Sequence, residues 1–216
     1  MKYSKKSVCI IPARGGSKGI LKKNLIKING KSLLSYTVNQ AKKSAVDDVI
    51  VTSDDPEIER EAWRLDASTI RRPEDISTDT STTESALTHA LNVIDPSGDI
   101  YDVVVFMSCT QPYRKISWIN TCLSKVKSGE VDSAFVGYNT HKNYWIGLDK
   151  LWWEDYSNRQ ERQPVIQENT GAMCATRAEV VRRGKRIGRK VYIHQVDEFN
   201  LDIHTELDIA IAEAIM

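Results

Sequence analysis

A single α/β domain, with a mostly parallel sheet and helices on both of its faces, is the fold this sequence predicts, and three observations predict it. Short, continuously apolar runs at residues 7–12, 48–52 and 102–107 alternate with amphipathic helical stretches, the rhythm of βαβ units. A glycine-rich basic loop follows directly on the first run, at the end of a strand where open α/β sheets bind ligands. The chain has 216 residues, 41% of them apolar, enough for one substantial core.

The first strand is expected at residues 7–12 (SVCIIP), apolar throughout and therefore buried on both faces. Leu33, Leu34, Tyr36, Thr37, Val38 and Ala41 then recur at helical spacing within residues 32–44, and residues 48–52 (DVIVT) return as a buried strand. Asp55-Pro56-Glu57 reads as an N-cap followed by proline at the first helical position, which opens a helix through Trp63 and Leu65. Ser81-Thr82-Thr83-Glu84 matches a capping box with Ser81 as the cap, ahead of the stripe Ala86, Leu87, Ala90, Leu91 and Ile94. A strand at 102–107, a helix at 117–126 and a strand at 132–136 continue the alternation.

Residues 138–171 lose the period and form a polar, aromatic-rich excursion carrying Tyr144, Trp145, Trp152, Trp153 and Tyr156. Strands at 173–176 and 191–195 rejoin the sheet, and Thr205-Glu206-Leu207-Asp208 caps a last helix. One domain over residues 1–216 is expected, with the excursion serving the ligand pocket or a subunit interface.

Thirty Lys and Arg stand against 29 Asp and Glu, a net charge of +1, so no global field draws the chain to nucleic acid or to an anionic membrane. No basic aromatic motif of an RNA-binding module is present either. Cys9, Cys109, Cys122 and Cys174 form no CxxC pair and read as reduced core residues. The apolar run behind the basic N-terminus breaks at Pro12, too short for a signal peptide or a membrane span. A cytoplasmic protein is expected.

The chemistry is expected in the loop Arg14-Gly15-Gly16-Ser17-Lys18-Gly19, with Lys22 and Lys23 behind it. Glycines let backbone N–H groups approach an anion, and the basic side chains add charge, as a phosphate cradle requires. The glycine offsets match neither a Walker A loop nor the dinucleotide fingerprint. A solvated basic turn explains the glycines equally well; the loop's place after the first strand favours the ligand site.

The stretch Ile11-Pro12-Ala13-Arg14-Gly15-Gly16-Ser17-Lys18-Gly19-Ile20, continued by Lys23-Asn24, resembles the N-terminal signature of the acylneuraminate cytidylyltransferases, the CMP-sialic acid synthetase family. Ser53-Asp54-Asp55, Arg71-Arg72-Pro73 with Asp79 and Thr80, Gln111-Pro112 and Leu201-Asp202 follow in that family's order. The resemblance implies a Rossmann-like domain that transfers CMP from CTP to a nonulosonic or ulosonic sugar acid, releasing pyrophosphate with Mg²⁺, in a homodimer. It implies further that Arg14 and Lys18, beside Lys23 and the loop residues Gly15, Gly16 and Ser17, bind the triphosphate. Asn24 and Arg72 are implied to hold the cytosine and its ribose, and Gln111 to face the sugar acid. Such a reaction needs cations on the leaving pyrophosphate and a metal on the phosphate oxygens.

Asp202 is the metal candidate, since a hard dication takes carboxylate oxygen and keeps several waters; ending a strand before the cap at Thr205 is its plainer role. Asp55 is better explained as an N-cap, and Asp54 as support for the loop. Ser81 is either a nucleotide contact or simply a capping residue. Arg159, Arg162 and Lys142 suit a substrate carboxylate or a solvated surface.

Three departures from the family pattern bear on the acceptor and the metal. His204 stands where the family usually shows the second aspartate of Asp-x-Asp, and imidazole suits Mn²⁺ better than Mg²⁺. Thr110-Gln111-Pro112-Tyr113-Arg114 is shorter than the usual QPTSPLR, and Glu168-Asn169-Thr170-Gly171 interrupts an Asn-Gly step. A sibling enzyme acting on Kdo, legionaminic or pseudaminic acid and a nucleotide-binding protein without turnover are the alternatives.

Overall fold

In the computed structural model, which describes residues 6–16, 19–150, 158, 160–198 and 201–216, the chain begins with β1 (Lys6–Pro12) at the middle of the main sheet. Val8, Cys9, Ile10 and Ile11 are all fully buried, as a strand covered on both faces must be. A small hairpin, β2 (Lys27–Ile28) and β3 (Lys31–Ser32), leads into α1 (Leu33–Lys42), capped by the Ser32 hydroxyl. Then come β4 (Asp48–Ser53), α2 (Pro56–Arg64), β5 (Ser68–Arg71), α3 (Thr83–Ile94) and β6 (Tyr101–Phe106). The second half holds α4 (Ile116–Lys127), β7 (Ser133–Thr140), the hairpin β8 (Trp145–Ile146) and β9 (Asp149–Lys150), β10 (Val165–Arg177), α5 (Ala178–Arg182), β11 (Val191–Val196) and α6 (Glu206–Ile215).

The strands of the main sheet lie in the order β11-β7-β10-β6-β1-β4-β5. Every neighbouring pair is parallel except those made by β10, which runs antiparallel to both β6 and β7. The expected mostly parallel sheet is therefore the observed one. Alternate side chains sort to two cores: Cys9, Ile11, Val103 and Val105 pack toward α1, α2, α4 and α6, while Val8, Ile10, Val104 and Phe106 pack toward α3 and α5. All four cysteines are free and buried, as expected.

Two readings of the sequence need correction. The cap of α3 is Thr82, whose hydroxyl accepts from the Ser85 N–H at 3.1 Å, and not Ser81. Ser81 instead closes a turn, its hydroxyl accepting from the Thr78 N–H at 3.0 Å. The capping pattern slipped by one because four consecutive hydroxyl residues, Thr80 to Thr83, offer alternative caps. The excursion, secondly, is more regular than its sequence: β7 runs on through Thr140 and pairs with the start of β10, Val165 opposite Thr140. Gly137 permits this pairing, because a Cβ there would stand 2.5 Å from Ile166 Cγ2 and 2.7 Å from Ile193 Cγ2. Trp152, Trp153 and Tyr156 lie outside the described residues.

One buried carboxylate pins the end of the sheet away from the basic loop. Asp95 is fully buried and accepts from the N–H groups of Asp99, Ile100 and Tyr101 at 3.0, 3.2 and 3.1 Å, and from Arg182 at 2.9 Å. Burial alone would raise its pKa, but the three N–H groups and Arg182 overcome it and hold the carboxyl below the ordinary value. Its stabilisation is thus full above the unfolded-state value of about 4 and is lost as pH falls through the lower folded value. Asp95→Ala is expected to cost about 3–5 kcal/mol in urea unfolding at neutral pH by leaving Arg182 unpaired, and the deficit should shrink on acidification below about pH 4. A pH-independent deficit would mean that the ionised carboxylate is not what the fold uses.

Candidate functional site

The C-terminal ends of β1, β5 and β6 open on one side, and the loops that leave them build a pocket of about 320 Å³, near the small end of ligand pockets. Arg14, Lys23, Asn24, Arg72, Thr78, Asp79, Ser81, Ser108 and Thr110 are among its lining residues. The structure thus gathers four of the sequence-predicted cationic and amide residues from two connections, the one between β1 and β2 and the one after β5. A larger cavity, about 520 Å³, opens near the other end of β6, yet its cations are engaged already: Lys127 with Asp47, Arg182 with Asp95 and Arg177 with the Gly129 carbonyl.

Arg14 is held over the pocket by two contacts from one nitrogen, to the Thr78 carbonyl at 3.0 Å and to Asp79 Oδ1 at 3.0 Å. Asn24, buried in a short helical turn, donates to the Arg14 carbonyl at 2.9 Å and fixes the strand's exit. Asp54 takes the Gly15 N–H at 3.1 Å and approaches Arg72 at 3.4 Å, which bears out its supporting role. Arg72 is itself buried and donates to the Ser77 hydroxyl at 3.1 Å; burial pulls its guanidinium below the usual value while Asp54 pulls the other way. Gly15 has no room for a side chain, since a Cβ would come within 2.5 Å of Asp55 Oδ2. Asp55 meanwhile caps α2, accepting from the Glu57 N–H at 2.7 Å, the structural role expected of it.

Beside the pocket, residues 201–204 cross the loop after β6. The Ile203 N–H donates to the Thr110 carbonyl at 2.8 Å, and Lys23 Nζ donates to the Ile203 carbonyl at 3.0 Å. Asp202 Oδ2 accepts from Gln111 Nε2 at 3.2 Å and lies 3.1 Å from His204 Nε2. Asp202 Oδ1 and Gln111 Oε1 are buried without a partner among the described residues. Gly171 makes space for this amide, because a Cβ there would stand 2.7 Å from Gln111 Nε2.

Asp202, His204 and Gln111 are therefore one cluster, adjoining the pocket through Lys23 and Thr110. Among the described residues no group of three His, Cys, Asp or Glu side chains stands ready for a metal. Arg162 is turned to the excursion, donating to the His141 carbonyl at 3.3 Å. Ser17, Lys18 and Arg159, also expected at the site, lie outside the described residues. Thr78 and Ser108 were missed by sequence reasoning; the hydroxyl-rich stretch 77–83 was the signal for Thr78, and Ser108 had none.

A family model described as cytidylyltransferase matches residues 8–145, which include both the basic loop and the Gln111 loop. The chain belongs to the cytidylyltransferase family. Among curated relatives of this family member is the N-acylneuraminate cytidylyltransferase of Streptococcus agalactiae serotype V, 28% identical over 216 residues, covering 94% of this chain and 51% of the relative. The pseudaminic acid cytidylyltransferase of Campylobacter jejuni serotype O:2 is 38% identical over 109 residues, 50% of this chain and 47% of the relative. The chain spans about half the length of the curated relatives it matches. The fold is shared with a solved CMP:2-keto-3-deoxy-manno-octonic acid synthetase in complex with CTP, at a TM-score of 0.76 and 17% identity, covering 98% of each chain. Among the described residues no helix of this family member is long and apolar enough to cross a membrane.

Proposed function

We propose that this chain transfers CMP from CTP to a sialic-acid-like sugar acid, with release of pyrophosphate. In that reaction the acceptor hydroxyl oxygen bonds to the α-phosphorus, the bond to the bridging oxygen breaks, and the hydroxyl proton is lost. The observation that carries the reading is the convergence of Arg14, Lys23, Asn24 and Arg72 on one pocket, with the Asp202–Gln111 pair beside it, reached through Lys23 and Thr110. Arg14 and Lys23 take the phosphates, joined by Lys18 and the loop N–H groups of Gly16 and Ser17; Asn24 and Arg72 hold the nucleoside end, and Ser81 borders it. Gln111 and Arg159 face the acid. The curated relatives are named for sugar-acid cytidylyl transfer, which supports the same substrate class.

A divalent ion fits the Asp202 carboxylate, whose Oδ1 is buried without a partner among the described residues, because Mg²⁺ needs only one or two carboxylates when phosphates complete its shell. Bound there, Mg²⁺ or Mn²⁺ supplies neutralisation of phosphate charge. The hairpin of the excursion exposes Trp145, Ile146 and Leu148 at 52, 67 and 94%, a surface suited to a second copy in a homodimer.

The test is pyrophosphate release from CTP and Mg²⁺, repeated with Mn²⁺, across N-acetylneuraminate, Kdo, legionaminate and pseudaminate. Release with one acid names the substrate. His204 in the place of a second carboxylate motivates a second reading, nucleotide binding without turnover; CTP bound with no pyrophosphate from any acid would decide for it.

A further inference from the structure

Arg114 follows the Gln111 loop, and nothing in the transfer chemistry above uses it. Its side chain is only 7% exposed. One nitrogen, Nη2, donates to the main-chain carbonyls of both Ser108 and Gln111, while Nε and Nη1 find no acceptor among the described residues. Among the described residues no carboxylate stands within ion-pair distance of it. Burial draws the guanidinium down to about 10, so it stays charged at neutral pH. An isolated charge is among the most expensive groups to bury, and apolar side chains of similar volume commonly replace buried charges without loss of stability. Packing therefore does not account for an arginine here.

The contacts around it lead to the site. Arg114 pins the Gln111 carbonyl, and the Gln111 amide in turn meets Asp202 Oδ2 at 3.2 Å. From the other side Gln40 Nε2 donates to the Pro112 carbonyl at 2.7 Å and to that of Arg114 at 3.3 Å, which leaves the loop little freedom. Burial dominates the guanidinium's environment, and Asp202, the weakest of the groups that act on it, does so from beyond contact distance, in an interior where charges are poorly screened.

We propose that Arg114 is a positioning residue for this site: it holds Gln111 against Asp202 through the loop carbonyls, and its unpaired buried charge favours a bound anion while opposing a bare divalent cation at that carboxylate. The proposal rests on the CMP-transfer reading. It makes metal binding conditional on nucleotide, since the phosphates supply the negative charge that one carboxylate beside a buried cation lacks.

The decisive experiment compares the wild-type chain with Arg114→Met, Arg114→Gln and Arg114→Lys. Binding of CTP alone is followed by calorimetry and binding of Mn²⁺ alone by the free-ion paramagnetic resonance signal. The two neutral variants should bind CTP roughly 3- to 10-fold more weakly and Mn²⁺ about 3-fold more tightly, with Arg114→Lys returning both toward wild type. A purely structural role cannot move the two ligands in opposite directions. Weakening of both together, no change in either, or failure of both neutral variants to fold while the lysine variant folds would assign Arg114 to the loop's structure and overturn the proposal. A wild-type chain that binds no CTP would instead sink the transfer reading, and this inference with it.

Discussion

Asp202→Asn is expected to lower pyrophosphate release from CTP, a sugar acid and Mg²⁺ by roughly 100-fold or more, the scale seen when a charge-stabilising group is lost from an active site. The substitution keeps the shape of the side chain and an oxygen for the Gln111 amide, but removes the charge. Because the side chain is one-third exposed (33%) and pins no helix or strand, unfolding should change by no more than about 1 kcal/mol. Initial rates and thermal unfolding, measured on the same preparations, separate the two effects. A rate that persists with its metal response intact would place the ion elsewhere. His204→Asp carries the opposite expectation. Its imidazole lies 3.1 Å from the same carboxylate and is a poor ligand for a hard cation, so a second carboxylate should maintain or raise the Mg²⁺-dependent rate. A severe loss would show that the imidazole has a task of its own.

Legibility of this protein in its sequence followed the range of the interactions. β1, β4 and β6 were readable because each is built around a short apolar run, and α2 because Asp55 and Pro56 mark its start. β5, four residues with two of them exposed, and α5, five residues long, carry too little period to be seen. β10 was only half legible: its first part, with Gln167, Glu168 and Asn169, looks like loop and is strand because β7 lies beside it. The site divides the same way. Arg14, Asn24 and Arg72 stand in recognisable order along the chain, whereas the carboxylate that joins Gly15 to Arg72 and the guanidinium beneath Gln111 act through partners that only the folded loops bring near. Residue types announce a phosphate site; they do not announce which group orients them.

Arg14→Ala is expected to raise the CTP concentration for half-maximal rate by roughly 10- to 100-fold and to slow turnover as well, because charge grows on the pyrophosphate as it leaves. Arg14 is anchored for that role by the Thr78 carbonyl and Asp79, both at 3.0 Å, so its planar fork keeps other N–H groups for an incoming phosphate. Arg14→Lys should recover only part of the loss, since an ammonium that stays on the anchor cannot offer a preset second edge. The effect must also be local, the chain as a whole carrying a net charge of only +1. Lys125→Ala, which removes an equal charge from an exposed pair with Glu130, should leave CTP saturation unchanged. If both alanine variants weakened CTP alike, the dependence would reflect general attraction, and the pocket around Arg14 would lose its claim to the triphosphate. If only Arg14→Ala did so and Lys18→Ala matched it, the basic loop would act as one phosphate cradle, with Arg14 anchored from the Thr78 turn and Lys18 supplied from the loop itself.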